Sequence, residues 1–138
     1  MNNMEKILTF ILNDKNELLL LLGSENDPQF HKSFWYTVTG AIESIDDDLY
    51  SAIKREVKEE TNLLVNKIID LNITYNYYSL GKYCNEHVFI SYVDNTDIIL
   101  NEESIDYKWC NLDEFINTIY WHYDKKDLYK LLSIYVSN

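Results

Sequence analysis

The sequence predicts an α/β (α+β) fold, an α/β/α sandwich with a mixed β-sheet between helices. Three observations carry this. Strand-length apolar or β-rich runs recur along the chain, the longest apolar block being residues 18–22. Leu71, Ile73, Tyr75 and Tyr77 alternate with Asn72, Thr74, Asn76 and Tyr78, the period of a half-buried strand. Residues 49–57 and 128–135 instead space their apolar side chains as one face of a helix does. Strand-type and helix-type stretches interleave irregularly, so a mixed sheet between helices is the economical way to bury both.

The elements follow in order. Residues 6–12 and 17–22 flank Asn13-Asp14-Lys15-Asn16, a strong turn, and read as a hairpin. Residues 23–32 form a polar loop holding the only proline, Pro28. Residues 34–42 read as one strand, whose Phe34, Trp35 and Tyr36 either pack in the core or offer a ring for a base to stack on. A helix follows, with Asp46, Asp47 and Asp48 as cap candidates. Its apolar stripe is Leu49, Ile53 and Val57, and Asn62 is placed to close it in the left-handed conformation. Gly81 marks a turn between the alternating strand and a return strand over residues 87–93. Residues 95–104 form an acidic loop and 106–110 a short strand. Asn111 and Glu114 make a capping box for a helix to about Tyr120. Leu128, Leu131, Leu132 and Tyr135 line a last helix that begins near Asp124.

Length and composition bound the rest. At 138 residues, 46% hydrophobic and with twelve tyrosines, the chain is expected to form a single domain over residues 1–138 with its own core. A net charge of −11 argues against a nucleic-acid polymer or an anionic membrane as partner, while leaving room for a phosphorylated small molecule brought in by a cation. Cys84 and Cys110 lack metal or redox spacing and are expected to be free thiols in a reducing cytoplasm. No leader, lipidation motif or membrane-length apolar run is read in the sequence. Tyrosines on exposed strand faces raise the expectation of a homodimer surface.

Chemistry concentrates on the polar side of the first helix. Glu56 lies three residues from Glu59 and four from Glu60, so like charges share one face. At about 5 Å and an effective dielectric of about 20, two carboxylates repel by roughly 3 kcal/mol. A divalent cation such as Mg²⁺ offsets this and keeps positions for water and phosphate. Arg55, the only arginine, can fork onto a carboxylate where lysine cannot. The plainer reading is a solvated charged face, with Lys54 and Lys58 as neighbours. His31, His87 and His122 are scattered and read as surface or packed histidines.

Residues 40–63 resemble the Nudix box, Gly-x5-Glu-x7-Arg-Glu-apolar-x-Glu-Glu-x-Gly-apolar. Arg55, Glu56, Val57, Glu59, Glu60 and Leu63 match the second half position by position. Counted back from Arg55, the family glutamate falls on Asp47 and the glycine on Ala41; placing the glycine on Gly40 adds one residue to the loop. Asn62 stands where the family has its last glycine. Residues 35–63, and more loosely 103 onward, look like the bacterial dATP and dihydroneopterin-triphosphate pyrophosphohydrolase branch. That branch's arginine-rich segment is absent, Glu25, Asn26, Asp27 and Pro28 standing in its place.

The resemblance implies a hydrolase of a nucleoside diphosphate linked to another group, here a nucleoside triphosphate pyrophosphohydrolase. It implies Mg²⁺, with Mn²⁺ as the other candidate, on Glu56, Glu59, Glu60 and the Gly40 carbonyl. Arg55 would orient a carboxylate of that set. The base that takes a proton from water is Glu56, Glu103 or Glu102, with Glu103 preferred over Glu102 for its spacing to Trp109. Ala41, Asp47 and Asn62 also suit a nucleotide-binding regulatory module with a degenerate box. An isoprenoid-diphosphate isomerase on the same fold is less well matched, since no cysteine and glutamate pair is well placed.

Overall fold

The computed structural model describes residues 3–24, 33–94 and 97–136. The strands are β1 (Asn3–Leu12), β2 (Leu18–Gly23), β3 (Trp35–Tyr36), β4 (Val38–Ala41), β5 (Val65–Ser79), β6 (Lys82–Val93) and β7 (Ser104–Cys110). The helices are α1 (Leu49–Thr61), α2 (Leu112–Thr118) and α3 (Lys125–Ser133). β1 is central, running parallel to β6 from Asn3↔Tyr83 to Leu12↔Tyr92. The other pairings are antiparallel: β6 carries β5, β4 runs along the opposite side of β1, and β2 carries β3 and β7. The sheet is therefore mixed, as expected.

The inner strands are largely apolar where both their faces are covered, broken by the buried Thr9 and Ser91, whose hydroxyls bond each other at 2.6 Å. Ile7, Ile11, Leu19, Leu21 and Phe89 pack with Ala52, Ile53 and Val57 of α1. Leu8, Phe10, Leu18, Leu20, Val88 and Ile90 pack on the other side with Phe115, Leu128 and Leu132 of α2 and α3. Each side chain so buried contributes about 1.5–3 kcal/mol, and a slip of one residue in β1 would exchange its two sets.

Two strand expectations change in detail. The hairpin at residues 13–16 forms, with Asn13 Oδ1 accepting from the amides of Lys15 and Glu17 at 3.0 and 2.9 Å. However, β1 and β2 pair only at Leu12↔Leu18. Beyond that pair they part, since β4 takes the edge of β1 at Lys6 to Thr9 and β7 takes that of β2. The expected strand over 34–42 is likewise two strands broken at Thr37, one paired to β2 and the other to β1.

β5 alternates as predicted and extends further, with an irregularity between Asp70 and Ile73. There Asn72 takes φ 57° and its amide donates to Asp70 Oδ1 at 2.8 Å. Asp48 caps α1 by accepting from the Ser51 amide at 2.8 Å, and Asn62 closes it at φ 69°. Asn111 and Asp124 cap α2 and α3. Cys84 and Cys110 are free and buried. No helix among the described residues is long and apolar enough to cross a membrane. His31, Asn95 and the loop segment with Glu25, Asn26, Asp27 and Pro28 lie outside the described residues.

Candidate active site

Two of the three glutamates on the acidic face of α1 turn inward. Ala52, Glu56 and Glu60 follow one another at four-residue steps, and all three are buried. The two carboxyl groups meet within hydrogen-bonding reach. Gly40 of β4 packs its backbone on the Glu56 carboxyl so closely that a Cβ there would overlap it. Glu60 Oε2 is buried and finds no hydrogen-bond partner among the described residues. Burial raises the proton affinity of Glu60 well above the ordinary carboxylate range, with Glu56, Glu103 and Glu59 adding to it. Burial also raises Glu56, opposed by its bond to Glu60 and by Arg55.

Arg55 is the hub on the outer flank. Its Nε and Nη2 donate to Asp46 Oδ1 and Oδ2, both at 2.9 Å, a two-bonded fork. Nη2 also donates to the Ala41 carbonyl at 3.1 Å. Nη1 reaches Glu56 Oε1 at 2.9 Å, Glu43 Oε2 at 3.0 Å and Glu59 Oε2 at 3.2 Å. The guanidinium beside Asp46 holds that carboxyl below its usual range. Glu59 stays half-exposed, its side chain at 52%.

The acid facing Arg55 is thus Asp46, and not the Asp47 reached by counting back from the arginine. Asp46 is tucked in, its side chain 3% exposed, while Asp47 is exposed. The interval from Gly40 to Asp46 is the five-residue gap of the box, and the extra residue lies between Asp46 and α1. Asp46 is fixed locally, since the Glu43 amide donates to its Oδ2 at 2.9 Å and its own amide donates to Glu43 O at 2.9 Å. The gap from Gly40 was the signal that could have found it.

Glu103 comes to the site on the loop before β7. The Ile99 amide donates to Thr61 O at 3.0 Å and the Ser24 amide to Glu103 O at 2.9 Å, which ties that loop to the ends of α1 and β2. Glu103 Oε2 accepts from Asn101 Nδ2 at 3.1 Å. Its charge is felt at Glu60. Glu102 and Glu103 are both exposed, and Glu102 is not among the groups felt at Glu60.

Among the described residues no three acidic, histidine or cysteine side chains already converge as a metal cage. Glu59 is turned toward Arg55 instead. The donor set nevertheless fits a hard divalent cation: two facing carboxyl groups, one oxygen without a partner, and chemistry of oxygen alone.

A cleft of about 260 Å³ opens on the opposite face of β4. Phe34, Tyr36, Tyr120, His122 and Tyr123 wall it, and Lys6, Thr39, Tyr77 and Glu86 form the sheet side. Glu86 accepts from the Tyr77 hydroxyl at 2.8 Å and lies 3.9 Å from Lys6 Nζ, both at Oε2. Burial raises its proton affinity, which those two groups hold back. Phe34 and Tyr36 thus line a cleft, whereas Trp35 lies under the Lys108 ammonium at 4.8 Å. His122 is exposed, as expected of a surface histidine, and it also lines the cleft, set edge-on to Tyr120 at 4.9 Å. His87 lies on the sheet surface, 3.5 Å from Glu5. Sequence reasoning passed over Glu86, although a carboxylate in line with Cys84, Val88 and Ile90 on an inward stripe is a signal.

The NUDIX domain family matches residues 3–132 of the chain. The chain belongs to that family. It is a Nudix hydrolase, acting on phosphoric anhydride bonds of nucleotide diphosphate derivatives. It is 27% identical over 120 residues to the dihydroneopterin triphosphate diphosphatase of Haemophilus influenzae, covering 78% of this chain and 73% of that protein. Among solved structures it resembles the MutT protein of Methanosarcina mazei Go1 (TM-score 0.71, 25% identity, 96% of this chain and 92% of the other). The E. coli dihydroneopterin triphosphate pyrophosphohydrolase shares the fold (TM-score 0.67, 23% identity, 96% and 94% covered). The Nudix likeness and its bacterial branch, read from residues 35–63, therefore stand.

Proposed function

We propose that this Nudix hydrolase is a divalent-cation-dependent nucleoside triphosphate pyrophosphohydrolase. Dihydroneopterin triphosphate, named in its Haemophilus influenzae relative, is a candidate substrate beside the dNTPs. The observation that carries the reading is the buried Glu56–Glu60 pair, with Glu56 packed on Gly40 and a Glu60 oxygen left unpartnered among the described residues. Glu56 and Glu60 would hold Mg²⁺ or Mn²⁺, joined by the Gly40 carbonyl and by Glu59 once it turns from Arg55. Bound there, the cation supplies positive charge to phosphate oxygens and makes water more acidic.

The chain's own residues do the remainder. Arg55, clamped by Asp46 and the Ala41 carbonyl, fixes Glu56 in place and keeps Glu59 near. Glu103 takes the proton of the attacking water, a role supported by its charge being felt at Glu60 and by the tethering of its loop. The water oxygen bonds to phosphorus, the anhydride P–O bond breaks, and pyrophosphate leaves. We place all of this in one domain spanning the chain, working in the cytoplasm.

Pyrophosphate release from a panel of dNTPs, dihydroneopterin triphosphate and nucleotide sugars, with and without Mg²⁺, tests the reading. Glu59→Gln or Glu60→Gln is expected to reduce turnover to background, and full activity in either overturns the site. The clamping of Glu59 by Arg55 favours one rival, a module that binds nucleotide without turnover. Thermal stabilisation by nucleotide and Mg²⁺ with no release of product over hours would select it.

A further inference from the structure

The cleft on the far face of β4 is built around a charge that nothing in the hydrolytic chemistry uses. Glu86 lies on an inward-facing stripe of β6, its side chain only 8% exposed, and still forms part of the cleft floor. An ionised carboxyl has about four acceptor sites and no donor. Among the described residues one donor, the Tyr77 hydroxyl, is close, and the Lys6 ammonium stands off at 3.9 Å on the same oxygen. Neither partner engages the other carboxyl oxygen, and the residue lines the cleft, so an incoming group with N–H donors finds acceptor sites still open among the described residues. The walls are flat: Phe34 and Tyr120 have ring centroids 4.8 Å apart, and Tyr36 stands edge-on to Phe34. The volume suits one heterocycle and part of a sugar.

We propose that Glu86 is the specificity-determining residue of this cleft, accepting two adjacent N–H groups from a planar heterocycle with the 2-amino-4-oxopyrimidine edge. Guanine has such an edge, a ring N–H beside an exocyclic amine that together match the two oxygens of a carboxylate. Adenine and cytosine put an amine beside a ring acceptor, which a carboxylate repels. Hypoxanthine keeps the ring N–H but lacks the amine. The link to catalysis rests on the hydrolase reading; recognition of the ring does not.

The ring is therefore tested apart from turnover, by NMR titration of GMP, IMP and AMP in EDTA. Wild type is expected to bind GMP about tenfold tighter than IMP, and AMP more weakly still, since a site built for a donor rejects the analogue lacking it. Glu86→Gln is expected to bring GMP and IMP within about threefold of each other, because an amide offers one acceptor where the carboxylate offers two. Equal binding of GMP and IMP by wild type overturns the proposal, and needs no variant. So does an unchanged ratio in Glu86→Gln. A GMP preference lost in the variant, with no triphosphate hydrolysed by wild type, upholds the cleft and removes the triphosphate pyrophosphohydrolase reading. Turnover of triphosphates by wild type without that preference does the reverse.

Discussion

Replacing Gly40 with alanine separates the part of the site that holds a carboxyl in place from the part that holds the fold together. The added Cβ would sit 2.7 Å from Glu56 Oε2 and closer still to the other two carboxyl atoms. The whole carboxyl must move, because β4 is laddered to β1 from Val38 to Ala41 and cannot easily retreat. Glu56 is a jointed side chain, so the cost in stability falls chiefly on the 2.9 Å bond from Arg55, with the contact to Glu60 shifting beside it. A hydrogen bond to a charged group contributes about 1.5–3 kcal/mol. For a domain of this length that is a fall in Tm of roughly 5–10 °C. Metal affinity and kcat/KM should fall much further, by about 100-fold, the upper range for disturbing a ligand's setting. Gly23→Ala is the control, since its Cβ would meet only Phe34 O at 3.8 Å and should be neutral within about 0.5 kcal/mol. Differential scanning calorimetry and a Mg²⁺ titration of activity measure both quantities. If Gly40→Ala matched wild type in Mg²⁺ dependence, or lost stability and activity in step, the cradle described for Glu56 would be wrong.

Other expectations concern charge. Glu60 holds its proton more tightly in the folded chain than in the unfolded one, so metal-free stability is fullest below the ordinary carboxylate range and declines as pH rises through the folded value. Calorimetry in EDTA across that range should show the decline, shallower in Glu60→Gln, and Mg²⁺ should reverse it in wild type alone. Asp46→Asn removes the charge from the Arg55 fork and should lower kcat/KM by about tenfold or more, while Asp47→Asn leaves it unchanged. Equal effects of the two, measured by initial rates, would restore the register counted back from the arginine.

What could be read from residues alone was what is local. The stripe of Leu49, Ile53 and Val57, the caps at Asp48, Asn111 and Asp124, and the closing Asn62 depend on neighbours within one or two turns. The clustering of Arg55, Glu56, Glu59 and Glu60 is fixed by helical pitch. Which way that face points is not local: β4 brings Gly40 against the buried Glu56 carboxyl, and Glu60 is buried with it. Asp46 escaped because one extra residue in a loop admits two registers. Glu86 gained its surroundings from the parallel pairing of β1 with β6, which sets Lys6 opposite it across dozens of residues of chain. The parting of β1 and β2 was equally hidden, since a good turn fixes one pair and not the ladder beyond it.

Thr39 and Gly40 are successive residues of one strand, so the pleat aims the first at the aromatic cleft and the second at the paired glutamates. A molecule seated on both would have to arch over the width of that strand, about 5 Å. On the proposed reading, β4 then acts as a gauge of length: a triphosphate tail bridges the rim and a monophosphate falls short, so chain length would be sorted before any bond is broken.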